Sequence, residues 1–142
     1  MDTRLNSAWL ALRIGIGLTA TLAGLDKFFN LLTDWGHYVS PLAAQLLPFS
    51  TGTLMGIVGI VELAVGVAIL TAWTRLGAYV ASVWLIAVAG NLVAAGYFDV
   101  AVRDVVMSLA AFTLARLTEV RQGAAAHTFA GIAEPQRGRL TA

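Results

Sequence analysis

The chain contains no cysteine. Disulfides, thiolate nucleophiles, Cys-ligated zinc, iron–sulfur clusters and dithiol exchange are thereby excluded in any compartment. Charge is scarce as well: 12% of the 142 residues are Asp, Glu, Lys or Arg, about half the share of an average soluble domain. Nine basic and eight acidic residues leave a formal net charge of +1, so no overall basic field exists to attract nucleic acid. The two histidines, His37 and His127, stand 90 positions apart. No Walker loop, HExxH or GxSxG motif occurs, and no metal site is expected. Gly15-Ile16-Gly17-Leu18-Thr19-Ala20 matches a dinucleotide fingerprint in letters. It lies inside an apolar helical stretch, without the strand and βαβ unit that give that pattern its phosphate-binding geometry.

What the chain does have is apolar surface. Hydrophobic residues make up 58% and the mean hydropathy is +0.79, which makes lipid its natural solvent. A transmembrane helix needs about 20 mostly apolar residues to cross the hydrocarbon layer, and four segments meet that length. They are about 8–32, 51–73, 76–98 and 100–118. The third is free of charge between Arg75 and Asp99, and the second carries only Glu62. The first contains Arg13, Asp26 and Lys27, and the fourth Arg103, Asp104 and Arg116. The expected fold is all-α, an integral membrane four-helix bundle of antiparallel up-down topology spanning residues 9–118. Residues 1–8 form a short N-terminal segment, and the Gln, Gly, Ala and Arg rich stretch 119–142 reads as a flexible tail.

With four spans, both termini and the turn at Thr74-Arg75 share one side. That side collects seven of the nine cations, leaving Lys27 and Arg103 for the other. Because Lys and Arg accumulate on the cytoplasmic face of short loops, both termini are expected in the cytoplasm. Trp9 and Trp73 then fall at the inner boundary, and Trp35, Tyr38 and Tyr97 at the outer one, where amphipathic rings settle. The alternative for the start is a cleaved signal peptide, which would invert the topology. In the first outer loop, Ser40-Pro41 opens a short interfacial helix that Pro48 stops. Trp35, His37 and Tyr38 are that loop's candidates for function.

An intramembrane charge costs about 2.5 to 3.5 kcal/mol even on the mildest scale. The ionisable and polar residues within the spans therefore need partners or a purpose. Asp26, Lys27, Asn91, Arg103 and Asp104 fall in the outer third, and Glu62 nearer the midplane. Asp26 and Lys27 are adjacent and about 100° apart on a helix, so each is expected to pair across helices rather than with its neighbour, and the same holds for Arg103 and Asp104. Asp26 with Arg103, and Lys27 with Asp104 or Glu62, is the economical network. Alternatives are a Glu62–Asn91 clamp, or Lys27 and Arg103 snorkelling to the boundary beside neutralising carboxylates. The glycines of the first two spans, among them Gly17 and Gly24 one heptad apart, read as close-packing positions.

Three motifs in order resemble the DoxX-like family of small membrane proteins. Ala23-Gly24-Leu25-Asp26-Lys27-Phe28 resembles its G-x-x-K-[LF] signature, Val61-Glu62-Leu63 with Gly66 its E-L-x-x-G motif, and Thr74-Arg75-Leu76-Gly77-Ala78 the turn into its third span. The resemblance covers about residues 9–118 and implies a four-helix bundle in the bacterial inner membrane. Named relatives are small subunits associated with thiosulfate:quinone oxidoreductase and with redox maturation of periplasmic enzymes. Lys27 and Glu62 match family positions, whereas Arg103, Asp104 and the His37 loop are read from polarity and place alone. The thiol chemistry proposed for some relatives needs cysteine, which this chain lacks. The resulting expectation is an accessory subunit of a redox system, with partner subunits or further copies of itself, whose polar cluster could hold a quinone. Lys27, Asn91, Arg103 and a protonated Glu62 could supply partners for its carbonyls. A non-enzymatic scaffold and a small proton-coupled transporter acting through Glu62 are the alternatives.

Overall fold

The computed structural model describes residues 2–140, and side chains as far as residue 127. All regular structure among them is helical. In chain order the elements are α1 (Thr3–Asp26), a 3-10 turn (Trp35–Tyr38), α2 (Pro41–Leu46), α3 (Thr51–Leu70), α4 (Thr74–Ala94) and α5 (Phe98–Leu140). Three of these, α1, α3 and α4, are long and apolar enough to cross a membrane. The fourth expected span lies within α5, which is not among them, because Arg103, Asp104 and Arg116 interrupt its apolar stretch.

Local signals account for most boundaries. Ser40 and Ser50 cap α2 and α3, their hydroxyls accepting from Ala43 N at 3.0 Å and Thr53 N at 3.2 Å, and Pro41 occupies the first turn of α2. The C-terminus of α4 is a Schellman motif: Gly96 adopts φ +85, its N–H bonds Val93 O, and the Tyr97 N–H bonds Leu92 O. The first span departs from expectation by ending at Asp26 instead of running to residue 32. The Asp26 carboxylate accepts from the N–H groups of Leu31 and Leu32, both at 3.0 Å, and so offers the backbone an alternative to a further turn of helix. Asn30, in the left-handed region at φ 51, completes the reversal. At the other extreme, α5 does not stop near Thr118. Its backbone stays helical through residues 119–140, where the composition predicts a flexible tail. At the start of that stretch, residues 120–126 contain no proline and one glycine, Gly123, and helix propensity there outweighs the polar composition.

Two helix pairs carry the packing. Along α1 and α3, glycines one heptad apart on each helix meet: Gly24 lies against Gly59, and Gly17 and Thr21 against Gly66. A β-carbon at Gly24 would stand 2.6 Å from Leu63 N and 2.7 Å from Gly59 O, so the two backbones touch there. Between α4 and α5 the small residues are Ala78 and Ala81 facing Ala111 and Ala115, all buried. The hydroxyls of Ser82 and Ser108 meet at 3.1 Å, and Ser108 also donates to Ser82 O.

The apolar core falls into two clusters. One, centred on Trp9, Ile16, Ile69, Ala78, Leu114 and Ala115, lies at the end holding the α3–α4 turn. The other, Ala89, Leu92 and Ala101 with Tyr38 and Tyr97, lies at the end holding the 3-10 turn and α2. We refer to these as the turn end and the loop end. At the turn end Arg13 donates to Ile69 O, Leu70 O and Thr71 O at 2.9, 2.6 and 2.7 Å. Its guanidinium thus serves the unpaired carbonyls and the negative dipole end of α3. Trp9 donates to Thr118 Oγ1 at 2.8 Å, and Arg13 and Arg121 approach its ring at 5.0 and 3.9 Å.

Candidate functional site

Lys27 stands one turn beyond Gly24, and Glu62 one turn beyond Gly59. The close glycine crossing sets the two charged residues side by side: a β-carbon at Gly24 would touch Glu62 Cβ at 3.0 Å, and one at Gly59 would touch Lys27 Cβ at 3.1 Å. The side chains close the gap with Lys27 Nζ donating to Glu62 Oε2 at 2.5 Å. Both are sheltered, the side chains being 5% and 15% exposed. The ammonium also lies 3.7 Å from the centre of the Trp35 ring, which caps it from the loop side. A buried charge requires this degree of compensation.

Two further groups border the pair. The Trp84 indole N–H, on α4, faces the Glu62 carboxylate without closing a hydrogen bond. It is the one buried side-chain nitrogen or oxygen without a partner among the described residues. Asp104, on α5, is buried and lies beyond ion-pair distance of Lys27, yet near enough for its charge to act on both Lys27 and Glu62. The arrangement thus holds one buried cation, a half-buried carboxylate at Glu62, a buried one at Asp104, and an indole donor without a well-formed bond. An open apolar groove of about 400 Å³ runs past Trp84, lined also by Tyr79, Val80, Val83 and Ala87.

The remaining expected site residues are engaged otherwise. Asp26 does not reach Arg103. Its carboxylate takes the Leu31 and Leu32 N–H groups and the Trp35 Nε1 donor at 2.8 Å, so it orients the ring that covers Lys27. Asn91 does not clamp Glu62: it donates to Tyr38 O at 2.8 Å and accepts from Ser40 N at 3.0 Å, tying the loop to α4. Arg103 and Asp104, expected to look to other helices, have each other as nearest ionic partner at 3.7 Å, the flexible Arg103 side chain being long enough to reach its sequence neighbour. Arg103 stays 68% exposed and outside the cluster. His37 is exposed in the 3-10 turn, 3.8 Å from Asp34. Tyr38 packs edge-on against Tyr97 at 4.9 Å.

Of the six residues expected in one network, Lys27, Glu62 and Asp104 converge, while Asp26 and Asn91 build the loop around them. The part that Trp84 plays in the site carries no charge signature in the sequence. Among the described residues no three His, Asp or Glu side chains come together as a metal site. No family model matches the chain, and no curated protein or solved structure matches it either.

Proposed function

We propose that the chain is a DoxX-like, four-span antiparallel bundle of the bacterial inner membrane with both termini cytoplasmic. In this reading it serves as an accessory subunit of a redox system and holds a quinone head group at the Lys27–Glu62–Asp104 cluster. The fourth span is the first part of α5, where Asp104 turns inward and Arg103 reaches toward the outer boundary. The observation that carries the ligand reading is the buried Trp84 N–H, which faces the Glu62 carboxylate without closing a hydrogen bond to it. Native structures seldom leave such a donor without a well-formed bond, and a carbonyl-bearing molecule supplies a second acceptor. Lys27 has donors to spare for the same oxygen, and Glu62 and Asp104 can accept from a hydroxyl. The redox chemistry would be the quinone's own.

The test is lipid extraction from the purified full chain. Quinone at near-stoichiometric amount, lost on Glu62→Gln and on Lys27→Met, is the expected result, and an extract free of quinone overturns the reading. Topology is checked separately by labelling single cysteines placed at His37, Arg75 and His127. Four spans require Arg75 and His127 on one side and His37 on the other.

A second reading, a non-enzymatic scaffold, is favoured by the loop end. Phe29, Leu31, Leu32 and Leu46 are exposed there on a segment held firmly by Asp26 and Asn91. It predicts a co-purifying protein lost on Leu31→Ser/Leu32→Ser and retained in Glu62→Gln. Proton-coupled transport predicts instead pH-driven uptake into liposomes that Glu62→Gln abolishes.

A further inference from the structure

The cations of the described residues are nearly all committed. Lys27 is paired with Glu62, Arg13 with three carbonyls, Arg103 with Asp104, Arg116 with Glu119, and Arg121 with the Trp9 ring. Arg4 and Arg75 alone among them have no such partner. Arg4 lies on the exposed first turns of α1. Arg75 is different, because it lines an open surface hollow of about 230 Å³ at the turn end, together with Ala72, Trp73, Leu76 and Gln122.

The wall of this hollow has a definite chemistry. Its polar side chains are a guanidinium and a carboxamide, from α4 and α5, and no carboxylate is among the lining residues. Its one formal charge is therefore positive, which suits an anion. Its apolar residues are Trp73, 65% exposed, and Leu76, 54% exposed. They stand where α3 and α4, two helices apolar enough to cross a bilayer, turn back. A tryptophan beside an arginine at that level is the composition of a headgroup boundary, and basic pockets between membrane helices hold anionic headgroups.

We infer that the hollow formed by Trp73, Arg75, Leu76 and Gln122 binds the phosphate of an anionic phospholipid, a phosphatidylglycerol or its dimeric relatives. Arg75 takes the phosphate oxygens through its planar fork, Gln122 donates to the same group or to the glycerol hydroxyls, and Trp73 and Leu76 meet the first part of the acyl chains. A zwitterionic lipid fits less well, since it carries no net negative charge to match the single cation of the wall. This inference rests on α3 and α4 spanning the bilayer and not on quinone binding.

The test uses the full chain in nanodiscs of equal phosphatidylglycerol and phosphatidylcholine, followed by native mass spectrometry of the lipid retained on release. Wild type is expected to retain phosphatidylglycerol preferentially. Arg75→Gln should lower that retention about fivefold, the worth of one boundary arginine, and Gln122→Leu should lower it less. Arg4→Gln, which alters an equally unpaired arginine away from the hollow, should leave it unchanged. Equal retention of the two lipids by wild type, or equal retention of phosphatidylglycerol by wild type and Arg75→Gln, overturns the assignment. Delipidated protein is also titrated with glycerol 3-phosphate. Binding of that soluble ester as tightly as the lipid assigns the hollow to a free phosphate compound and likewise overturns the lipid inference. Failure of the protein to enter nanodiscs would instead overturn the membrane reading on which it rests.

Discussion

Replacing Gly24 by alanine tests whether the α1–α3 crossing builds the charged site. The added carbon would stand 2.6 Å from Leu63 N, 2.7 Å from Gly59 O and 3.0 Å from Glu62 Cβ. Ordinary contact begins at 3.4 Å, so the helices must separate locally by about 0.8 Å. Two of the three obstructing atoms are backbone, which cannot turn aside as a flexible side chain can. Overpacking of this kind costs about 1–3 kcal/mol, and the better helix propensity of alanine returns up to about 1 kcal/mol. The expected net effect is a destabilisation of about 1–2 kcal/mol. The control is Gly15→Ala on the same helix, where nothing lies within 4 Å; it should be neutral or slightly stabilising. Unfolding in mixed micelles, followed by far-ultraviolet circular dichroism against added denaturing detergent, measures both. Equal midpoints for Gly24→Ala, Gly15→Ala and wild type would refute the close crossing, and with it the reason given for Lys27 meeting Glu62.

Other substitutions probe the polar contacts one at a time. Lys27→Met strands a buried carboxylate and should destabilise by about 3–5 kcal/mol. The double variant Lys27→Met/Glu62→Leu should recover most of that loss in the same assay, and no recovery would mean that the pair is not coupled. Arg13→Met removes three bonds to the last carbonyls of α3, so a loss of about 2–3 kcal/mol is expected. Its signature is faster amide exchange confined to Thr74–Ala78 and the α3 C-terminus. Asn91→Leu releases Tyr38 and Ser40; limited proteolysis should then cut within residues 36–42, and an unchanged cleavage pattern would show that the loop is held by other contacts.

The short helix α2 was legible because its signals are local: Ser40 caps it and Pro41 presets its first turn. The α4 hairpin was legible for a similar reason, since an uncharged run between Arg75 and Asp99 needs no tertiary information to be read as a helix. The site was legible in part. Charge inside an apolar span marks Lys27, Glu62 and Asp104 as residues that need company, whatever the arrangement of helices. It does not say which company. Asp26 chose backbone N–H groups six residues onward, and Asn91 a loop fifty residues back; both are hydrogen-bonding choices that depend on where the chain turns.

By itself, then, the amino-acid order determined where apolar helices form and which hydrophilic residues would be costly inside them, because propensity, capping and transfer energy are properties of short stretches. Only the tertiary structure decided that Lys27 meets Glu62, that Trp84 turns its N–H toward Glu62 without closing a hydrogen bond, and that Arg13 spends itself on the end of α3 while Arg75 has no partner among the described residues. Those outcomes depend on how closely two helices approach, and that distance is set by pairs of small residues, Gly24 on Gly59 and Gly17 on Gly66, that are far apart along the chain.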